Sequence, residues 1–402
     1  MTDEIKQVGV IGLGVMGFDI AFLYAMKGYP TLTYDASALP MASMTERREQ
    51  TIERLKRRNR ISDKEIENVR NRLVAASGLK GLAKADLVTE AVSEAAKTKL
   101  AVYDALRQAG FAGILTTNTS SLTRASLLAA GAYEAKKFAS THFFNPVLYT
   151  QMIEVVRGDM EESVFHVTLS FLKSLGRNPV ETKDISGYVS NSILMYYAVM
   201  ALHLLQCGAR IEDVDQAAKE LRLLPPFISF DSWKPSIVED VTRVMFDLRG
   251  DQFLRSSKLL TELAQSNPKF YLEQIPNPAV YGKIGDRPQK PDVAVIKRAL
   301  KASIQVAAAR VVELGEDPAK VDWIATEGIK IPQAPLKEID ATGAKTVLEE
   351  LEKIEQEMPD CPLMPPQLLA AMVREGQTFY QNDDLNPWLL SVAKRKRSNG
   401  SH

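Results

Sequence analysis

The chain has 402 residues, 45% of them hydrophobic and 25% charged, the balance of a globular protein too long for one core, so two or more domains are expected. Lysine plus arginine (50) offsets aspartate plus glutamate (50), which removes any whole-molecule attraction to nucleic acid or anionic membranes. Cys207 and Cys361 stand far apart without a histidine cluster, so no metal or redox motif is expected, and with no long apolar run and an acidic start, MTDEIKQ, a cytoplasmic protein is expected.

Residues 7–11, QVGVI, read as a strand ending in GLGVMG, where Gly12, Gly14 and Gly17 fall in the G-x-G-x-x-G spacing. Apolar residues then recur at helical spacing to Met26, and Gly28 is placed to end that helix. In this context the first glycine permits the tight turn, the second lets backbone approach a pyrophosphate, and the third lets helix pack on strand. A second strand, TLTY, closes on Asp35, with no arginine directly beside it in sequence. A carboxylate there accepts hydrogen bonds from both ribose hydroxyls and repels a 2′-phosphate, so the expected cofactor is NAD.

Residues 41–73 are charged, with sparse apolar residues at helical spacing; Asn59-Arg60-Ile61-Ser62 breaks the pattern, and Ser62 or Asp63 caps a second helix. This is a helical hairpin inserted in the sheet. Its cluster Lys56, Arg57, Arg58 and Arg60 is either a solvated face or a grip on substrate phosphates. Residues 85–92, 113–119, 137–144, 152–158 and 178–183 read as strands, several of them near-continuous apolar runs as expected for strands covered on both faces. The stretch THFFNPVLYTQMIE puts His142 on one of these and Glu154 on the next, with Asn145-Pro146 turning the chain between them. Alone, such a histidine is an ordinary core residue, Ser120 an N-cap and Asn191 a packing amide.

Their company changes the reading. GLGVMG, ADLVTEAV followed by Glu94 and Lys99, TNTSSL, HFFNPV, EVV-x-G and DISGYVSN, in that order over residues 8–191, resemble the 3-hydroxyacyl-CoA dehydrogenases. The resemblance implies an NAD enzyme that interconverts a 3-hydroxyacyl thioester, on coenzyme A or an acyl carrier, and its 3-keto form. It implies His142 as catalytic base, Glu154 as the carboxylate that orients and polarises it, and Ser120 and Asn191 near the reacting oxygen or thioester carbonyl. It puts Glu94, Lys99 and Asn145 at the rim of the cofactor and substrate site, with Asn118 among the cofactor-binding groups. Alcohol oxidation needs a base for the hydroxyl proton, and histidine serves both directions near neutrality.

The chain departs from the family at Leu148, Tyr149, Thr150 and Gln151, where proline, valine, methionine and lysine are usual, and at SGYVSNS, where P-G-F-x-x-N-R is usual. These changes surround the catalytic types and bear on the substrate. A dehydrogenase of a small free hydroxy acid, of the carnitine or gulonate kind, is the alternative, as is a non-catalytic crystallin-like relative.

From Ser190 the pattern is helical, and a faint second copy begins about a hundred residues later, pairing Val214-Asp215 with Val321-Asp322 and Pro225 with Pro332. The expected organisation is an α/β Rossmann-like doubly wound sheet over residues 1–186, followed by an all-α part with two related helical modules, 187–290 and 291–402. Two fused modules cover each other's apolar faces, giving a monomer or a homodimer through another surface. Leu224 to Asp231 replaces the family's G-x-P-x-G-P-F segment and is expected to reshape the acyl pocket.

Overall fold

The computed structural model describes residues 4–131, 133–284, 290–359 and 361–389, and the chain divides into two compact units, Met1–Asp184 and Ile185–His402. The part of the second expected helical module beyond residue 389 lies outside the described residues.

The first unit opens with β1 (Val8–Ile11), α1 (Val15–Met26) and β2 (Thr31–Tyr34), then the helices α2 (Ala38–Ala42), α3 (Met44–Lys56) and α4 (Asp63–Arg72). It continues with β3 (Leu73–Ala75), α5 (Leu79–Leu82), β4 (Leu87–Glu90), α6 (Ala96–Gln108), β5 (Ile114–Thr117) and α7 (Arg124–Ala129). The unit closes with β6 (Phe138–Phe143), β7 (Met152–Val156), α8 (Glu162–Ser174) and β8 (Asn178–Glu181). All eight strands form one sheet in the order β3-β2-β1-β4-β5-β6-β7-β8, with β6 and β7 antiparallel and every other pair parallel. Helices cover both faces, so β1, β4, β6 and β7 are buried throughout and read as apolar runs rather than as alternating ones. Tyr24, Phe143 and Phe171 pack edge to face on one side of the sheet, Tyr103 and Phe138 on the other. Strand order reverses between β1 and β4, the topological switch point at which such sheets bind ligands.

The hairpin forms as α3 and α4, and its break is built by Ser62. Ser62 Oγ accepts the Glu65 N–H while the Glu65 carboxylate accepts the Ser62 N–H, a reciprocal capping box. Glu65 also takes Lys27 Nζ at 2.8 Å, which ties α4 to the end of α1. The far end of the hairpin differs from expectation. Leu73, read as its last residue, is the first of the edge strand β3. With only Leu73 buried in three residues, that strand carries no periodic signal.

The second unit repeats one helical plan. Its first round is α9 (Ser190–Gln206), α10 (Ile211–Glu220), α11 (Pro226–Trp233), α12 (Pro235–Arg249), α13 (Lys258–Ser266), the β9 (Tyr271–Leu272) and β10 (Ile275–Pro276) hairpin, and α14 (Pro278–Ile284). Its second round is α15 (Val293–Glu313), α16 (Pro318–Trp323), α17 (Pro335–Thr342), α18 (Ala344–Glu357), α19 (Gln367–Glu375) and the β11 (Tyr380–Gln381) and β12 (Asp384–Leu385) hairpin. The duplication extends to single hydrogen bonds. Asp215 accepts the Phe227 and Ile228 amides, as Asp322 accepts those of Leu336 and Lys337. Asp231 holds the Phe270 and Tyr271 amides, as Asp340 holds those of Phe379 and Tyr380.

These bonds correct the expected alignment. Val214-Asp215 does match Val321-Asp322, but Pro226, at the start of α11, matches Pro335, at the start of α17, rather than Pro225 matching Pro332. The second copy inserts a π-helical turn, Ile324–Gly328, and its capping amides come two residues later along the chain from the aspartate. The long apolar helices α9 and α15 pack against each other.

Candidate active site

β1 delivers the chain to Gly12, which has φ +88°; a Cβ there would meet the Ala91 carbonyl at 2.6 Å. At Gly17 a Cβ would lie 1.7 Å from the Gly12 carbonyl, so only glycine lets α1 start against the strand. Around Gly14 the Cβ position is open, leaving backbone bare on the side where a pyrophosphate would approach. At the end of β2, half-buried Asp35 accepts the Leu13 N–H at 2.7 Å and the Ser37 N–H at 2.8 Å. Loop and acid are therefore one assembly, and the residues present fit a dinucleotide.

A second assembly forms where β4, β5 and β6 end. Glu94 Oε1 accepts the Thr119 hydroxyl at 2.5 Å, the Ser120 N–H at 2.7 Å and the Ser121 N–H and hydroxyl at 2.8 and 2.9 Å. One carboxylate oxygen thus shapes the turn that carries Ser120. Burial by itself would push the Glu94 carboxyl up, but Lys99 and these donors outweigh it and hold it below the usual carboxylate range. Lys99 does not take the expected rim position. It is fully buried, with Nζ 2.9 Å from Glu90 and 3.5 Å from Glu94. Glu90, also fully buried, further accepts the Tyr103 and Thr117 hydroxyls at 2.6 and 2.8 Å. Sequence reading passed over Glu90, although an acid inside the apolar run ADLVTEAV is the available signal.

Asn118 Oδ1 accepts the Phe143 N–H at 3.0 Å, tying the end of β5 to the strand that carries His142. His142 and Glu154 are Cα partners across the antiparallel β6–β7 pair, so their side chains share one face of the sheet. His142 Nδ1 lies 2.9 Å from Glu154 Oε2, and both residues are buried. Phe144 flanks the imidazole, with ring centres 5.3 Å apart. Asn145 is exposed just past the end of β6, at a cis Asn145-Pro146 bond. Asn191 belongs to the other unit, where it is half-buried in the first turn of α9.

The basic cluster is exposed at the junction of α3 and α4. Arg54, Arg57 and Arg58, with Gln50 and Thr51, line a cavity of about 450 Å³. Arg54 was not foreseen; it precedes the dense run of charges, and only the helix turn brings it round. Arg58 and Arg60 lie 5.4 and 5.2 Å from the Tyr149 ring centre, one of the positions where the chain departs from its relatives. Lys56, Arg57, Arg58 and Arg60 make no ion pair among the described residues. No group of metal-binding side chains occurs among the described residues, and no described helix is long and apolar enough to cross a membrane.

The glycine loop, the acid closing β2 and the doubly wound sheet define an NAD-binding oxidoreductase domain. The 3-hydroxyacyl-CoA dehydrogenase NAD binding domain model matches residues 7–185, and the C-terminal domain model of the same family matches twice, at residues 187–269 and 295–383. The chain belongs to the 3-hydroxyacyl-CoA dehydrogenase family.

Among its relatives, the mitochondrial hydroxyacyl-coenzyme A dehydrogenase of Rattus norvegicus is 31% identical over 224 residues, 54% of this chain and 71% of that protein. A fatty acid oxidation complex subunit alpha of Pseudomonas syringae is 29% identical over 222 residues, of which this chain spans only 31% of the length. The fold is similar to that of 3-hydroxybutyryl-CoA dehydrogenase from Escherichia coli K12, with a TM-score of 0.75 at 22% identity over 93% of this chain and 99% of that one. It is also similar to (S)-3-hydroxybutyryl-CoA dehydrogenase from Ralstonia eutropha, with a TM-score of 0.60 at 25% identity over 65% and 94%.

Proposed function

We propose that the chain is an NAD-dependent dehydrogenase that interconverts a 3-hydroxyacyl thioester and its 3-ketoacyl thioester. The observation that carries this reading is the buried His142–Glu154 pair, in register across two strands and joined at 2.9 Å. With Nδ1 turned to the carboxylate, His142 exchanges the substrate's hydroxyl proton at Nε2. Glu154 fixes that tautomer and stabilises the imidazolium as it forms. Held at the Gly12, Gly14 and Gly17 loop and Asp35, NAD would supply the hydride acceptor for alcohol oxidation, and NADH the donor in reverse. In this reading the Ser120 hydroxyl hydrogen-bonds the reacting oxygen or the thioester carbonyl. Glu94 sets the Ser120 turn, Lys99 and the Thr119 and Ser121 donors hold Glu94 charged, and Asn118 fixes the strand beside His142. Asn145 contributes at the cofactor's edge.

Arg57 and Arg58, which line this cavity with Arg54 and make no ion pair among the described residues, support a phosphate-bearing carrier over a small free hydroxy acid, since such guanidinium groups favour a polyanion. The packing of α9 on α15 supports a single chain as the working unit, or a dimer made through another surface. Oxidation of NADH is the test, followed with 3-ketoacyl coenzyme A thioesters of several chain lengths, their pantetheine analogues and free 3-keto acids. Turnover with thioesters bears the proposal out. Turnover confined to free acids transfers it to the hydroxy-acid alternative, and no turnover with any of them leaves a non-catalytic relative.

A further inference from the structure

The first turn of α3 reaches back to the glycine loop. Arg47 donates from Nη1 to the Leu13 carbonyl at 2.6 Å and from Nη2 to the Gly14 carbonyl at 3.0 Å. Its guanidinium carbon lies 4.1 Å from the Phe18 ring centre. Leu13 is held from its other side as well, because its N–H is given to Asp35. A guanidinium and the ribose-binding carboxylate therefore converge on one loop residue, although twelve positions separate Arg47 from Asp35 in sequence. No arginine stands directly beside Asp35 along the chain, but the fold brings the Arg47 charge close enough to be felt by it.

The geometry has a direct consequence for the loop. In a trans peptide the C=O and the N–H of the next residue point in opposite directions. Arg47 fixes the Leu13 carbonyl and adds a second donor to the Gly14 carbonyl, which also accepts the Phe18 N–H at 3.2 Å as the first bond of α1, so the N–H groups of Gly14 and Val15 are turned away from those donors. Two parallel donors from one planar group fix two successive peptides, which a single ammonium does not. Burial pushes the Arg47 guanidinium down, while Asp19 and Asp35 pull it back up.

We propose that Arg47 is a positioning and specificity residue of the dinucleotide site: it aims the loop amides at the pyrophosphate, and its charge partly offsets the rejection of a 2′-phosphate by Asp35. Removing the charge weakens NADPH more than NADH, whereas keeping the charge without the fork loosens both alike.

Fluorescence titration of the full chain with NADH and NADPH, at low and moderate salt and without acyl substrate, separates the two roles. Arg47→Met keeps an unbranched apolar stem but removes the guanidinium that lies over Phe18. It is expected to weaken NADH about tenfold and NADPH about a hundredfold, so that the preference for NADH widens about tenfold. Arg47→Lys is expected to restore the parent's preference but not its absolute affinity. Equal weakening of both cofactors by Arg47→Met, or parent affinities in either variant, would overturn the proposal. If Arg47→Met does not fold, Arg47→Lys alone decides the positioning role by its NADH affinity. Because no thioester is present, either result is independent of the substrate proposed above.

Discussion

Replacing Glu154 by glutamine keeps the side chain's shape across from His142 but removes the charge that orients and stabilises the imidazolium. The expected result is a fall in kcat of about 10²-fold or more, with NADH affinity nearly unchanged. His142→Gln is expected to do at least as much damage and to abolish an ionisation in the pH profile of kcat/KM. The double variant should cost little beyond the worse single one, because residues acting as a unit are strongly non-additive. Stopped-flow NADH oxidation and cofactor titration on the three variants provide the check. Parent-like turnover in both single variants would reduce the pair to core packing. At the same scale, one Glu94 oxygen fixes the backbone of the turn that carries Ser120 through several donors, as Glu154 holds the imidazole through one.

The hairpin of α3 and α4 is the element that varies the common sheet. One end of α3 holds the glycine loop through Arg47, and the other carries Arg54 and the cluster from Lys56 to Arg60. Changing Lys56, Arg57, Arg58 and Arg60 together to alanine is expected to raise KM for a coenzyme A thioester severalfold, more at low salt than at high. The pantetheine analogue should be little affected, and equal effects on both substrates would leave the cluster a solvated face.

The hairpin's hold on α1 titrates. Burial raises the Glu65 carboxyl, but hydrogen bonds from Lys27 and Ser62 outweigh it and bring it below the usual range. Its folded form is therefore the better acid. The stabilisation is complete above the unfolded carboxyl's range and is lost as pH falls through the lower folded value. Glu65→Gln retains the capping box but not the charge. The Tm gap between parent and variant should be present at neutral pH and close in acid, and a gap constant down to about pH 3 would contradict this.

At the scale of the whole molecule, duplication gives the helical unit a second long apolar helix to pack on the first. Buried residues run along nearly the whole of α9, and α15 is the helix of equivalent origin packed on it. Full-length protein is expected to sediment as one chain at micromolar concentration. A version ending at residue 290 loses α15 and leaves the apolar face of α9 uncovered, so it should dimerise or precipitate. A soluble monomer from the shortened version would show that α9 does not need this cover.

Local chemistry determined what could be read from the sequence alone. The glycine spacing, the acid closing β2, the Ser62 cap and the apolar runs each rest on a few neighbouring residues, and the ordered motifs from GLGVMG to SGYVSN carried the family. Even the pairing of His142 with Glu154 was legible, because one turn joins the two strands that hold them. Contacts between distant segments left no such trace. Lys99 and Glu90 became a buried ion pair only once α6 crossed back over β4, and Arg47 met the glycine loop only once the hairpin folded against α1. Likewise, the repeat was visible as a faint likeness, but its alignment awaited the capping bonds of Asp215 and Asp322. A side chain's local spacing predicts which backbone it shapes, whereas its long-range partner is chosen by packing, for which a single sequence has no period.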